Sequence, residues 1–315
     1  MQIMLAPMEG VVDAPMRDFL TQIGGYDRCV TEFIRVVDNT YPDHVFSRFC
    51  PELATGGRTA AGVPVHIQLL GSNPEAMASN ARQAAKLGAL GIDINFGCPS
   101  KTVNQRDGGS AVLREPARMT RILCAVRDAV PADTPVSAKI RLGYEHADDF
   151  SAIIAAIKRS GIDELCVHAR TKKHGYKPPA YWTRVAEARQ QLGIPVIVNG
   201  EIWTPAQARQ ARSESTCQDI MLGRGAVAYP DLARHIRAED AGESYMPMAW
   251  PVIADKVYQQ ALTLHQTMPR YAGMRTKQWL RYLSQRYPEA QATFERVKRH
   301  KTFEDMRGSW CEYSA

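Results

Sequence analysis

The chain has 315 residues, of which 45% are hydrophobic and 23% charged, with a net charge of +6. This is the balance of a soluble globular protein long enough for one large domain and a small one. No window approaches the roughly 18 uninterrupted apolar residues of a spanning helix, which excludes a helical membrane protein.

The seven cysteines, at 29, 50, 98, 124, 166, 217 and 311, are odd in number and scattered, with no C-x-x-C pair. That spacing excludes a disulfide framework and a structural zinc site, and no other metal is expected. The opening MQIMLAPMEG has neither a basic leader nor a cleavable apolar core, so a cytoplasmic protein is expected.

In chain order, short β-branched segments alternate with longer amphipathic ones. Strands are predicted at 3–7, 29–33, 63–71, 90–96, 135–143, 164–170, 194–201 and 219–225, with helical periodicity at 74–87, 116–130, 148–159 and 204–211. Eight strands with intervening helices predict an α/β fold, a closed (β/α)8 TIM barrel, over residues 1–243. From residue 244 to 315 the strand rhythm is lost and the pattern is helical only.

Charge follows the same division. From Tyr245 onward there are 11 Lys and Arg against 6 Asp and Glu, and 11 of the 25 aromatic residues. A basic, aromatic-rich tail on a nearly neutral body is the composition of a nucleic-acid contact module. A helical bundle with a solvated basic face has the same composition.

Because active sites in this fold gather at the C-terminal strand ends, polar residues there are the candidates. Those ends supply Pro7 and Met8, Arg35, Gln68, Asn95 and Cys98, Lys139 and Arg141, His168, Asn199 to Glu201, and Gly223 with Arg224. Cys98 lies between Gly97 and Pro99 in INFGCPSKTVNQRDGGS, beyond the end of a strand. A reactive thiol and a packed thiol are both consistent with that spacing. The glycines of the last two strand ends suit a phosphate. Gln68, Lys139 and His168 suit a planar polar ring across the centre, and the pair fits flavin mononucleotide (FMN), with the lysine near the ring's N1 and O2.

These residues carry a resemblance. LAPMEGVVD at 5–13, IQLLG at 67–71, DINFGCPSKTV at 93–103, KIRLG at 139–143, VHAR at 167–170, VNGEI at 198–202 and LGRGA at 222–226 together resemble the bacterial tRNA-dihydrouridine synthases. Arg35 and the run MRTKQWLRYL at 274–283 resemble the C-type subfamily, whose members modify uridine 16 in the D-loop of tRNA.

The resemblance implies that Cys98 is the proton donor to C5 of a uracil that receives hydride at C6. It implies FMN contacts at Pro7, Met8, Gln68, Lys139, His168, Asn199, Gly200, Glu201, Gly223 and Arg224. It further implies tRNA contacts at Arg35, Asn95, Arg141, Tyr176, Arg275, Lys277, Tyr282 and Lys298, and NADPH as reductant. No protein partner is called for, and a monomer is expected. Lys298 departs from the arginine of the pattern, keeping the charge but losing the bidentate fork, and Arg106 and Asp107 stand where small residues are usual. Two other functions fit parts of the chain. One is an FMN barrel reducing a small molecule, which would have no need of the basic tail; the other is a non-catalytic RNA-binding relative, which would have no need of Cys98, Lys139 and His168.

Overall fold

The computed structural model describes residues 1–310, so Cys311 lies outside the described residues. Nine parallel strands form one sheet: β1 (Ile3–Leu5), β2 (Arg28–Val30), β3 (Ile34–Arg35), β4 (Val65–Leu70), β5 (Ile92–Asn95), β6 (Val136–Arg141), β7 (Glu164–His168), β8 (Val196–Asn199) and β9 (Asp219–Leu222). Their order is β2-β1-β9-β8-β7-β6-β5-β4-β3, and a β2–β4 pairing closes it into the predicted barrel.

The second stave departs from the single strand expected at 29–33. It is split into β2 and β3, which both pair with β4. Val30 pairs with His66 and Ile34 with Leu69, so four steps on one side face three on the other, a bulge of one residue. The N–H of Gln68, displaced from the ladder, donates instead to the Thr31 hydroxyl at 3.0 Å. A side chain thus takes the place of a backbone acceptor that the bulge removes.

Strand periodicity decides what fills the barrel. Side chains alternate across a strand, and the alternate set includes Met4, Val30, Gln68, Asp93, Lys139, Cys166, Ile197, Asn199 and Met221. Met4, Ala6, Val30, Cys166, Ile197 and Met221 make one apolar cluster. Links between strands that are not neighbours show that the other members also face inward. Lys139 on β6 donates to Asn199 on β8, and Arg28 on β2 pairs with Glu164 on β7.

His66 shares the inward parity of Arg28 and Glu164. Burial, then the Arg28 charge, lowers its imidazole to about 3, so it is neutral at ordinary pH. Its ring lies against Gly91, where a Cβ would come within 2.3 Å of ring atoms.

Around the strands, helix Pro74–Lys86 shows how the sequence sets an element's start. Asn73 caps it by accepting from the N–H groups of Glu75 (3.0 Å) and Ala76 (3.1 Å), and Pro74 occupies the first turn. Its buried face is Ala76, Met77, Asn80, Ala81 and Ala84, the spacing of a helix laid on a sheet. Helices Pro116–Ala129, Phe150–Lys158 and Pro205–Ser215 also fall where periodicity predicts them, and Trp182–Gln191 is a further helix outside the predicted set.

The chain divides into two compact units. The first comprises residues 1–14, 26–202 and 206–223 and holds all nine strands; the second comprises 15–25, 203–205 and everything from Arg224 onward. The second unit is helical, with Trp250–Thr267, Pro269–Leu283, Pro288–Val297 and Phe303–Trp310 as its later helices. Its core joins Ile253, Val257, Trp279, Leu280, Phe303 and Met306, all buried. Gly273 lets two segments approach closely, since a Cβ there would stand 3.0 Å from the backbone of Thr302 and Phe303.

Gly91→Ala is expected to force the His66 ring aside in a packed interior and to cost about 1–3 kcal/mol, measured by urea unfolding. An unchanged midpoint would show that the ring is free to move.

Candidate active site

The C-terminal ends of β4 to β8 bring together Gln68, Asn95, Cys98, Lys139, Arg141, His168, Asn199, Gly200 and Glu201. Pro7 and Met8 follow β1, and Gly223 follows β9. A buried chain of hydrogen bonds orders this set. Ser137 Oγ donates to Asp93 Oδ1 at 2.6 Å, and Gln68 Nε2 donates to Asp93 Oδ2 at 2.6 Å. Gln68 Oε1 accepts from Asn95 Nδ2 at 2.8 Å, and Asn95 Oδ1 accepts the N–H groups of Gly97 and Cys98, each at 2.9 Å.

The direction of this chain follows from chemistry. Gln68 Nε2 donates to Asp93 while Gln68 Oε1 accepts from Asn95, so Asp93, as the acceptor, turns the Gln68 amide with its N–H₂ inward and its oxygen toward Asn95. Asn95 in turn presents its oxygen to the backbone at the thiol. Burial raises the Asp93 carboxyl above the usual range, while Ser137, Gln68 and the Lys139 charge pull it back down.

On its other side Cys98 is clamped through its carbonyl, which accepts from Ser110 N (3.1 Å), Ser110 Oγ (2.7 Å) and Asn104 Nδ2 (3.0 Å). Gly109, at φ +58°, sits so close that a Cβ would be 3.0 Å from Cys98 Cβ. The thiol itself is half-buried and packs beside Phe33, Leu70 and Val103. Burial pushes it above the ordinary thiol range, with Glu9 adding to the rise. The packed and the reactive readings therefore meet in one residue: its flank is packed, and its thiol stays protonated at neutral pH.

Lys139 is buried, and its Nζ donates to Asn199 Oδ1 at 3.0 Å. Asn199 Nδ2 is in turn committed to the Met221 carbonyl at 2.7 Å. The Lys139 amino group has more N–H donors than this one acceptor takes, and the remainder have no protein acceptor among the described residues. Burial lowers its pKa. A buried amino group with spare donors calls for a ligand that brings acceptor atoms. This donor set, with the buried His168 beside it, fits the acceptor edge of a flavin ring.

Arg141 is fully buried and donates to three backbone carbonyls, through Nε to Gly97 (2.7 Å) and through Nη1 to Thr171 (3.0 Å) and Gly175 (2.8 Å). Its guanidinium carbon lies 5.3 Å from the ring centroid of Tyr176, which is itself exposed. Burial lowers Arg141 to about 10, and the residue stays cationic. Its visible work is to tie the thiol loop to the loop after β7. Gly200, at φ +112°, leaves room for His168, whose ring a Cβ would approach to 2.7 Å. Glu201 adopts a left-handed conformation at φ +58° and pairs with the buried Arg170.

The remaining candidates are placed as follows. Arg35 on β3 is half-buried, and its carbonyl accepts from the Tyr41 hydroxyl at 2.7 Å. In the second unit, Arg224 lies with its guanidinium carbon 5.1 Å from the Trp203 ring centroid. Arg275 is buried and donates to Gln278 at 2.6 Å, Lys277 donates to the His300 carbonyl at 3.0 Å, Lys298 pairs with Glu295, and Tyr282 is half-buried. Sequence reasoning missed Asp93, Asn104 and Ser110. The signal for Asp93 was a carboxylate inside an otherwise apolar strand at the same parity as Asn95.

Among the described residues no cluster suits a metal ion and no helix is long and apolar enough to cross a membrane. A barrel with a half-buried thiol and a buried lysine with spare donors at its C-terminal mouth belongs to the class of TIM-barrel enzymes. Within that class the chain belongs to the dihydrouridine synthase family, whose pattern matches residues 4–309. It is 49% identical over 303 residues to a tRNA-dihydrouridine(16) synthase of Pseudomonas putida, covering 95% of this chain and 93% of that one. Identity to a protein of the same name from Shewanella oneidensis is 46% over 313 residues, with 97% and 96% covered. Among solved structures, an old yellow enzyme homologue from Zymomonas mobilis shares the fold at a TM-score of 0.54 and 14% identity, covering 79% of this chain and 91% of that one.

Asp93→Leu, which leaves the Gln68 amide and Ser137 hydroxyl without their acceptor, is expected to lose at least about 2 kcal/mol by urea unfolding. Asp93→Asn, able to accept from Gln68 and donate to Ser137, is expected to lose less. Equal losses would contradict a directional chain. Alkylation of Cys98 by iodoacetamide, followed by peptide mass mapping, is expected to be slow at pH 7 and to rise only above the ordinary thiol pKa of about 8.5; rapid labelling at pH 7 would contradict the shift.

Proposed function

We propose that the protein reduces uridine to 5,6-dihydrouridine in the D-loop of tRNA, at position 16, as a C-type dihydrouridine synthase that uses FMN and NADPH. The observation that carries the reading is the pairing, at one barrel mouth, of the protonated Cys98 thiol with the spare donors of Lys139. Family membership and the named relatives support it.

When bound, the flavin supplies the hydride that reaches C6 of the uracil. The chain's own residues do the rest. Lys139 and His168 would hold the flavin ring through its acceptor atoms, with Gln68 and Asn199 beside them, and Pro7, Met8, Gly200, Glu201, Gly223 and Arg224 would complete the cofactor contacts. Cys98 holds its proton because burial keeps the thiol neutral and delivers it to C5, as a general acid in a desolvated site. Asn95, whose amide orientation is fixed, would orient the uracil.

The target base has to be turned out of the folded RNA to reach the mouth. Arg35, Arg141 and Tyr176 at the barrel rim, with Arg275, Lys277, Tyr282 and Lys298 of the helical segment 244–315, are the proposed tRNA contacts, through phosphates that fix register. The protein works as a cytoplasmic monomer in this reading.

Mass spectrometry of tRNA from a strain lacking this gene tests it. Loss of the two-dalton increment at position 16 alone is expected; loss at another D-loop position would retain the chemistry and overturn the positional assignment. Cys98→Ala is expected to keep tRNA binding and lose most turnover, by about 10²-fold or more, and full activity would overturn the proton-donor role.

A further inference from the structure

The loops after β5, β6 and β7 build a second feature that none of the assigned roles uses. The Tyr144 ring has two cations against it: Arg114 Cζ at 4.5 Å and Lys172 Nζ at 4.6 Å from its centroid. The backbone holds them there. Lys172 N donates to Gly143 O and Lys173 N to Tyr144 O, each at 3.0 Å, so the two loops are zipped together. Gly143, at φ +154°, allows the tight turn that presents Tyr144, since a Cβ would lie 2.1 Å from the His146 carbonyl oxygen.

Charge balance at this spot is incomplete. Arg114 has one carboxylate neighbour, Asp107, at 4.0 Å, with the two side chains 51% and 62% exposed. Such a pair is worth little and is readily exchanged for another anion. Lys172 has no carboxylate within 4.0 Å among the described residues, and Lys173 beside it is exposed. Two cations repel; the negative face of the ring offsets part of this, and an anion bridging them would offset the rest.

The cluster is also rigidly joined to the thiol. Arg114 ends the 3-10 helix Gly109–Arg114, whose Ser110 holds the Cys98 carbonyl. Lys172 and Lys173 lie between Thr171 and Gly175, both held by Arg141, which also holds Gly97.

We propose that Arg114 and Lys172, buttressed by Tyr144, form a clamp for one backbone phosphate of the RNA substrate on the barrel rim. The inference rests on the tRNA reading above. With a guanidinium fork and an ammonium but no base-reading amide, the clamp recognises the phosphodiester and not the sequence. Its link to Cys98 makes it a register stop, fixing how far the strand reaches past the mouth.

The test measures binding of an unmodified tRNA transcript to the flavin-loaded full chain by fluorescence anisotropy across a potassium chloride series, with steady-state kinetics alongside. For Arg114→Gln/Lys172→Gln the slope of log affinity against log salt is expected to fall by about 1. KM for tRNA should rise about tenfold at low salt, with kcat retained. Tyr144→Phe should behave as wild type, and Tyr144→Leu should follow the double variant.

An unchanged slope and KM in the double variant, while the wild type binds and reduces tRNA, overturns the clamp alone. A fall in kcat at unchanged KM also overturns it, assigning these residues to the thiol loop. A wild-type holoenzyme that neither binds nor reduces tRNA overturns the tRNA reading, and the clamp with it.

Discussion

Everything at the mouth of this barrel depends on the cost of burying polar side chains. Inside a closed sheet a polar group has no water to fall back on, and one left unpaired costs about 1–3 kcal/mol. The interior meets this with a series in which each group's direction is set by the one before it: Ser137 and Gln68 on Asp93, Asn95 on Gln68, and the N–H groups of Gly97 and Cys98 on Asn95. The thiol loop is therefore an extension of the barrel's hydrogen bonding. Lys139 is the exception that gives the site its chemistry, because its N–H groups outnumber the acceptors around it. Order at Cys98 and incompleteness at Lys139 arise from the same rule, obeyed in one place and left open in the other.

Arg141 extends the logic to the rim. A fully buried guanidinium with three carbonyl acceptors is a cross-brace between loops, and it remains charged while doing so. The field it adds at the mouth is positive, so the mouth favours electron-rich and anionic groups. The helical unit uses a different solution, packing aromatic and aliphatic side chains around the close approach at Gly273, with Arg275 buried among them and donating to Gln278.

The barrel was legible in the sequence because eight β-branched segments recur between amphipathic ones, and that rhythm survives in the strands from β4 to β9. The break between β2 and β3 was not, since it depends on the Thr31 hydroxyl standing in for a backbone carbonyl, a contact no periodicity encodes. Strand-end logic located Gln68, Asn95, Cys98, Lys139 and His168 at one mouth. It missed Asp93 because a residue inside a strand reads as core whatever its charge. Nor did residue type reveal occupancy: Arg141, Arg275 and Lys277, tRNA contacts by the resemblance, each also donate within the fold.

The series from Ser137 to Cys98 also bears on how such a chain can change over generations. Gln68, Asp93, Asn95 and Ser137 lie on three strands, yet a swap of donor for acceptor at one of them inverts the demand on the next. Their substitution effects are bound to be non-additive: changes harmful singly become tolerable in matched pairs. Heredity at these four positions is that of a single composite character.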